Sequence, residues 1–339
     1  MDQSKFTIII PSKIIDKNLI NCEEKIRRFY KEIKILLMLD EVNDNDDIEF
    51  SPYTDKIVTG LVNVSEKRNM GFRLCKTDFL VFIDSDAYPG HPWLDKIESI
   101  FKQNQTIGAC GGPNLSPEEN DEEKKLISFV KKSWFVTQDV NLLKRMQSEG
   151  KFIHFLPTCN LIVKRSILNN KDPFDKNLFS NEEISLNVYI KKSGYKIYYE
   201  PSVHVFHKDR NIKSFLKQRF IYGSESLSVF LKYPCKCSFN LLISTIPFIS
   251  TLLFASIFFL KTIQINIFFV NTYLFLLPIL IIFLSIIIII FETCRIFLIS
   301  KKKFFKIFVL LSLSVFIPGL GQTMKPFLSW KLKRKIWTQ

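Results

Sequence analysis

The chain reads as an α/β domain built on a mostly parallel sheet, followed by an α-helical membrane region. Three observations predict this. Short apolar runs alternate with amphipathic stretches from residue 5 to about residue 210. Long uncharged apolar runs fill the last third of the sequence. The formal charge of +14 is divided unevenly between the two parts.

Residues 237–339 hold 11 of the 47 Lys and Arg but one of the 33 acids, Glu292. The rest of the chain is close to balanced, so the basic excess punctuates apolar runs instead of coating a soluble surface. That pattern points to a membrane, and no nucleic-acid partner is expected. Between Lys236 and Lys261 lie 24 uncharged residues, and between Lys261 and Glu292 lie 30 more. About 20 apolar residues cross a bilayer as helix, so each run is long enough to span.

The expected organisation is a cytoplasmic domain over 1–232 and a membrane region over 233–339. Spans fall near 238–260 and 266–291, and a third span or re-entrant segment near 305–324 is interrupted by Ile317-Pro318-Gly319-Leu320-Gly321. Lys232, Lys236, Arg295, Lys301, Lys302, Lys303 and Lys306 flank the first two spans on one side, leaving Lys261 alone on the other. The positive-inside rule puts the basic side, and the N-terminal domain with it, in the cytoplasm. The basic tail Lys331 to Lys335 favours the same side. The opening MDQSKFTIIIPSK has an early acid and three consecutive isoleucines, which does not match a signal peptide. Seven cysteines without a Cys-x-x-Cys pair agree with a reducing compartment.

Strands are expected at Phe6 to Ile10, Ile33 to Leu39, Lys56 to Val58, Phe79 to Ile83, Ile107 to Cys110, Leu161 to Lys164 and Tyr195 to Tyr199. Between them, EEKIRRFY, SEKRNMGFRLCK and PWLDKIESIFKQ carry helical periodicity, with Ser65 and Pro92 as starts. Ligands of such sheets gather beyond the carboxyl ends of the strands. Pro11-Ser12, Asp40-Glu41 and Asp84-Ser85-Asp86 stand at three such ends, so polar groups converge on one edge. Neither a Gly-x-Gly-x-x-Gly nor a Walker loop is present. His204 and His207 form a His-x-x-His, too few ligands for a zinc site by themselves.

The ordered pieces TIIIPSK, LLMLDEVNDND, SEKRNMGF, TDFLVFIDSDAYPGHPWL, GACGGPN, TCNLIVKRSIL, FDKNLFSNEEISLNVYIKKSGYKIYYEPSVHVFH and KQRFIYG resemble the family 2 inverting glycosyltransferases. The resemblance covers about residues 5–225 and implies a GT-A nucleotide-diphospho-sugar transferase fold. It further implies a nucleotide-sugar donor, a lipid-linked or glycan acceptor, and a divalent cation, Mg²⁺ or Mn²⁺. Such hard cations choose carboxylate oxygens and can neutralise a departing diphosphate.

By this resemblance Asp86 binds the metal, with Asp84 near the ribose and metal shell. An Asx-type turn closing the strand is the structural alternative. Asp40 matches the position that contacts the nucleotide base, with Pro11 and Ser12 lining the same pocket. The run Asp40-Glu41-Val42-Asn43-Asp44 departs from the usual pattern and leaves the base open. Lys67 and Arg68 would approach the donor phosphates, although Lys67 also fits a solvated helix face. His207, Gln218 and Arg219 are further candidates for the phosphates. Gln218 and Arg219 are adjacent, unlike the spaced pair of processive synthases, which favours transfer of a single sugar. Gly111, Gly112, Thr158, Cys159 and Asn160 match loops on the acceptor side.

An inverting transfer needs a base for the acceptor hydroxyl. The family places it in an acidic pair at a helix start, here Glu182-Glu183, with Glu183 as the base. Ser180 to Glu183 also spells a Ser-x-x-Glu capping box, in which Glu183 would bond only the backbone. Two other functions remain open from sequence: a surface polysaccharide synthase, and a non-catalytic membrane scaffold with a degenerate nucleotide-sugar fold.

Overall fold

The computed structural model describes residues 1–41, 47–117, 121–133, 136, 149–169, 172–262, 272–301, 303–329 and 332. Val42, Asn43 and Asp44 and most of the basic tail lie outside these residues. The strands are β1 (Phe6–Pro11), β2 (Lys34–Leu39), β3 (Thr54–Val58), β4 (Phe79–Phe82), β5 (Ala87–Pro89), β6 (Ile107–Gly111), β7 (Asn114–Leu115), β8 (Lys151–Ile153), β9 (Leu161–Lys164), β10 (Lys196–Tyr199) and β11 (Val205–His207). The α-helices are α1 (Lys17–Phe29), α2 (Val64–Leu74), α3 (Ile97–Gln103), α4 (Glu122–Val130), α5 (Glu183–Lys192), α6 (Ile212–Lys232), α7 (Lys236–Ile243), α8 (Ile246–Thr262), α9 (Thr272–Ser300) and α10 (Phe304–Met324).

The chain divides into two compact units. One comprises Met1–Glu118 with Leu142–Lys208, the other Glu119–Asn141 with Asp209–Gln339. The first unit ends at Lys208, and α4 groups with the C-terminal unit.

The first unit holds an eight-stranded sheet in the order β3-β2-β1-β4-β9-β6-β10-β8. Strands β1 to β4 pair in parallel, β9 runs antiparallel to β4 and β6, and β10 returns parallel to β6. β1 and β4 are buried along their whole length, as strands covered on both faces must be. Phe6, Ile8, Ile10, Leu37, Val81 and Ile162 join one hydrophobic core with Leu19 and Ile26 of α1. All seven expected strands are present within two residues of their expected ends. The strands not anticipated, β5, β7, β8 and β11, are two or three residues long and too short to show alternation. β5, β11 and β7 form a second, three-stranded sheet.

Two helix starts differ from expectation. Asn63, not Ser65, caps α2, its side chain accepting from Glu66 N at 2.9 Å. Pro92 opens no helix, because the next two residues turn into the core. The Tyr30 hydroxyl accepts from both Trp93 N and Leu94 N, and the Trp93 indole donates to Asn160 Oδ1. Helix α3 begins only at Ile97.

In the second unit three stretches are long and apolar enough to cross a membrane: Lys236–Leu260, Leu276–Ser300 and Phe304–Phe327, with mean hydropathies of 2.1, 2.8 and 2.0. Glu292, buried in α9, accepts from Arg295 at 2.8 and 2.9 Å, and Arg295 also donates to Lys132 O. The third stretch is one continuous helix, α10, with Pro318 inside it and no hairpin. Proline cannot donate to the carbonyl four residues back, so Ser314 O loses its helical partner. Arg219 of α6 supplies the replacement, donating from Nε and Nη2 to Ser314 O at 3.1 and 2.9 Å and from Nη1 to Val136 O. The helices approach closely here: a Cβ on Gly223 would lie 2.0 Å from Pro318 O, and one on Gly321 2.0 Å from Phe220 O.

Candidate active site

Two clusters stand at the C-terminal ends of the first unit's strands, and α2 serves both. At the first, Ser12 follows β1 and Asp40 follows β2. Lys67 of α2 reaches across to them, pairing with Asp40 Oδ1 at 2.7 Å and donating to Ser12 O. Asp40 and Lys67 are both buried, so Lys67 does not lie on a solvated face. The Ser12 hydroxyl donates to Ile14 O, and Pro11 is the last residue of β1.

At the second cluster, β4 ends at Phe82 and delivers Asp84 and Asp86 two and four residues later. Antiparallel pairing of β11 with β5 sets His207 opposite Ala87, the neighbour of Asp86. His207 Nε2 is 3.1 Å from Asp86 Oδ1 and 4.0 Å from Asp84 Oδ2. One ligand atom from each of Asp84, Asp86 and His207 lies within 4.8 Å of the others. Two carboxylates and an imidazole are a donor set that suits a hard or borderline divalent cation. His204 stays apart from this group, its ring packed beside Gly90 and its Nδ1 at Ser202 O. The place of His207 rests on a three-residue strand with no local signature.

Arg68, the neighbour of Lys67, joins the second cluster to the acidic pair. Its Nη2 donates to Asp84 Oδ1 at 2.9 Å, and its Nη1 donates to Glu182 Oε1. The guanidinium is buried, and both of its arms are committed to carboxylates.

Glu183 is the first residue of α5, and the capping box does not form. Glu182 occupies the cap position with no side-chain cap, while the Ser180 hydroxyl accepts from Asn181 Nδ2. The cause is Asn181, whose φ of +58° carries the chain past the geometry a Ser180 cap needs. Burial first, and then the adjacent Glu182 carboxylate, push the Glu183 carboxyl up to about 8. A carboxyl so placed holds its proton at neutral pH and becomes a base as the pH rises.

The remaining expected residues have the following neighbours and partners. Gly111 and Gly112 are packing positions, since a Cβ on either would stand 2.3 Å from Asn160 O or 2.1 Å from Val203 O. Asn160 is fully buried, accepting from Trp93 and donating to Val203 O. Cys159 Sγ accepts from Asn114 Nδ2, and Thr158 is buried. Gln218 and Arg219 belong to the second unit, where Gln218 donates to the Tyr222 hydroxyl and Arg219 complements Pro318. Asn63, the cap of α2, and Asn69, which the sequence suggests only as shaping that helix, hold the backbone of the loop before Glu182; a polar helix residue carries no sign of its distant partner.

A parallel-centred sheet, with acids at its strand ends and a carboxylate pair at a helix start, is the arrangement that the resemblance to glycosyltransferases implies. Residues 7–170 match the family model of Glycosyl transferase family 2, and this segment is a family 2 glycosyltransferase domain. The chain is 22% identical over 170 residues to the pre-mycofactocin glycosyltransferase of Mycobacterium tuberculosis, over 50% of this chain and 35% of that protein. It thus spans about a third of the length of the curated relatives it matches. Among solved structures, the mannosyltransferase PcManGT from Pyrobaculum calidifontis, in complex with GDP-Man and Mn²⁺, superposes with a TM-score of 0.54. That match has 10% identity and covers 94% of this chain and 87% of the other, so it establishes the fold.

Proposed function

We propose that this protein is a membrane-anchored inverting glycosyltransferase that moves a single sugar from a nucleotide-sugar donor to a lipid-linked or glycan acceptor. The observation that carries the reading is Arg68, which links Asp84 of the Asp84-Asp86-His207 group to Glu182 of the acidic pair. Leaving-group chemistry and acceptor chemistry would thereby meet at one edge of the sheet. Asp84, Asp86 and His207 would hold a divalent cation, which supplies charge neutralisation for a departing nucleoside diphosphate. Ser12, Asp40 and Lys67 would face the nucleoside. Glu183 takes the acceptor hydroxyl proton as that oxygen bonds to the anomeric carbon from the side opposite the breaking bond to the diphosphate.

A panel of nucleotide sugars offered with Mn²⁺ tests this reading; Mn²⁺ is the first choice because the PcManGT structure contains it. One donor is expected to be consumed only when the cation is present. Consumption of none, with folded protein and Mn²⁺ bound, would leave the scaffold function standing.

The anchored domain is assigned to the cytoplasm from the basic residues that flank the candidate spans. Anchoring keeps the site beside a bilayer, which favours a polyprenyl-phosphate or lipid-oligosaccharide acceptor. A reporter fused after Lys236 is expected on the cytoplasmic face and one inserted at Lys261 on the opposite face; because α10 is one continuous helix, a reporter after Arg334 reads whether that helix crosses. An external signal after Lys236 would overturn the orientation; one after Arg334 alone would make α10 a full span.

A further inference from the structure

The segment from Asp172 to Glu182, which carries the acidic pair into α5, has almost no regular structure of its own. A loop of that kind must satisfy its backbone groups elsewhere or leave them to water. Here α2 provides the partners. Asn69 donates from Nδ2 to Phe174 O at 2.8 Å and accepts from Phe174 N at 3.0 Å, so one side-chain amide closes both polar groups of one residue. Asn69 and Phe174 are buried, at 1% and 2% exposure, and water cannot stand in for either bond.

The same helix holds the loop at other points. Asn63 donates to Lys176 O, and Arg73 is paired with Asp172 at 2.7 Å on the surface. Phe174 is itself an anchor: its ring meets Phe82, at the end of β4, edge-on at 5.2 Å, and the Arg68 guanidinium lies 5.6 Å over it. β4 carries Asp84, so the Asn69–Phe174 pairing sets the loop against the strand that bears the proposed metal ligands.

We propose that Asn69 is a positioning residue for the Glu182–Glu183 pair, acting through the backbone of Phe174 and governing the rate of glycosyl transfer more than donor affinity. The inference rests on Glu183 as the base. Asn69 touches neither carboxylate, so its loss changes where Glu183 stands and leaves the donor side built on Asp40, Lys67, Asp84 and Asp86 in place.

The test uses the full chain and the donor identified by the panel, with hydrogen exchange as a readout that needs no donor. In Asn69→Ala, kcat is expected to fall by about 10- to 100-fold, the scale of a displacement near 1 Å, with donor KM within about twofold. Amides of residues 172–182 are expected to exchange faster while those of β1 and β4 stay protected. Asn69→Asp sets a buried carboxylate oxygen against Phe174 O and is expected to lose at least as much as Asn69→Ala; Asn69→Ser, which keeps one small polar group at the buried site, is expected to lose less and serves if Asn69→Ala fails to fold. Arg73→Ala, which removes the exposed tether to Asp172 and the surface pair with Glu66, is expected to leave kcat within about twofold. Normal kcat in Asn69→Ala beside an inactive Glu183→Gln would overturn this inference alone, as would unchanged exchange over 172–182. Full activity in Glu183→Gln would remove the base and this inference together.

Discussion

Glu183→Gln is expected to lower turnover by about 10²- to 10⁴-fold, the usual contribution of a positioned general base, while donor and cation binding persist. Glutamine keeps the size of the side chain and its place at the first position of α5. No capping interaction is lost with the charge, because Glu183 makes none to Ser180. The pH dependence has a defined sign. Burial and the neighbouring Glu182 raise the Glu183 carboxyl to about 8, so the base form is the minor one at pH 7 and grows with pH. The wild-type kcat/KM is expected to climb about tenfold per unit below that value and to level above it, and Glu183→Gln is expected to lose this limb. The same shift acts against stability. The folded state binds this proton more tightly than the unfolded chain, so the contribution of Glu183 to stability falls as pH rises from the ordinary carboxylate range to about 8. Glu182→Gln is the control one residue away. It breaks the pair with Arg68, and loss of the limb there instead of at Glu183 would move the base to Glu182. An unchanged limb in both variants would take α5 out of the chemistry.

Asp86→Ala is expected to weaken Mn²⁺-dependent binding of a nucleoside diphosphate by at least about 100-fold, more than the loss of a residue that merely supports a ligand. Asp86 is one of the two carboxylates in the group, and its removal leaves His207 facing only Asp84, at 4.0 Å. Asp86→Asn separates ligand from turn. Asparagine closes an Asx turn as well as aspartate does but gives a cation a neutral oxygen, so a structural role would survive the exchange and a ligand role would not. Titration calorimetry of UDP and GDP with and without Mn²⁺ reads both variants. Cation dependence retained in Asp86→Ala would reduce Asp84-Ser85-Asp86 to a turn and remove the metal from the proposal.

The features legible in the sequence are those whose cause is local. The central strands β1 and β4 announce themselves as apolar runs, since burial on both faces leaves Thr7 as their one polar residue. The candidate spans are equally plain, because a bilayer imposes length and composition on any segment that crosses it. Asp40, Asp84, Asp86, Glu182 and Glu183 could be singled out as acids standing where a strand ends or a helix begins. Only the tertiary structure decided what these acids meet. His207 reaches Asp86 through strand register, and register depends on a partner more than a hundred residues away. Arg68 is joined to Glu182 across 114 positions of sequence, and Asn69 to Phe174 across 105. The Ser180 cap is undone by a backbone angle at Asn181 that the residue type permits without requiring. Arg219 serves a carbonyl of α10 because Pro318, 99 residues beyond it, has no hydrogen to give that carbonyl. Local sequence sets which groups are available. Their partners are set by which distant backbone and side-chain groups burial leaves without water, and that is a property of the folded chain.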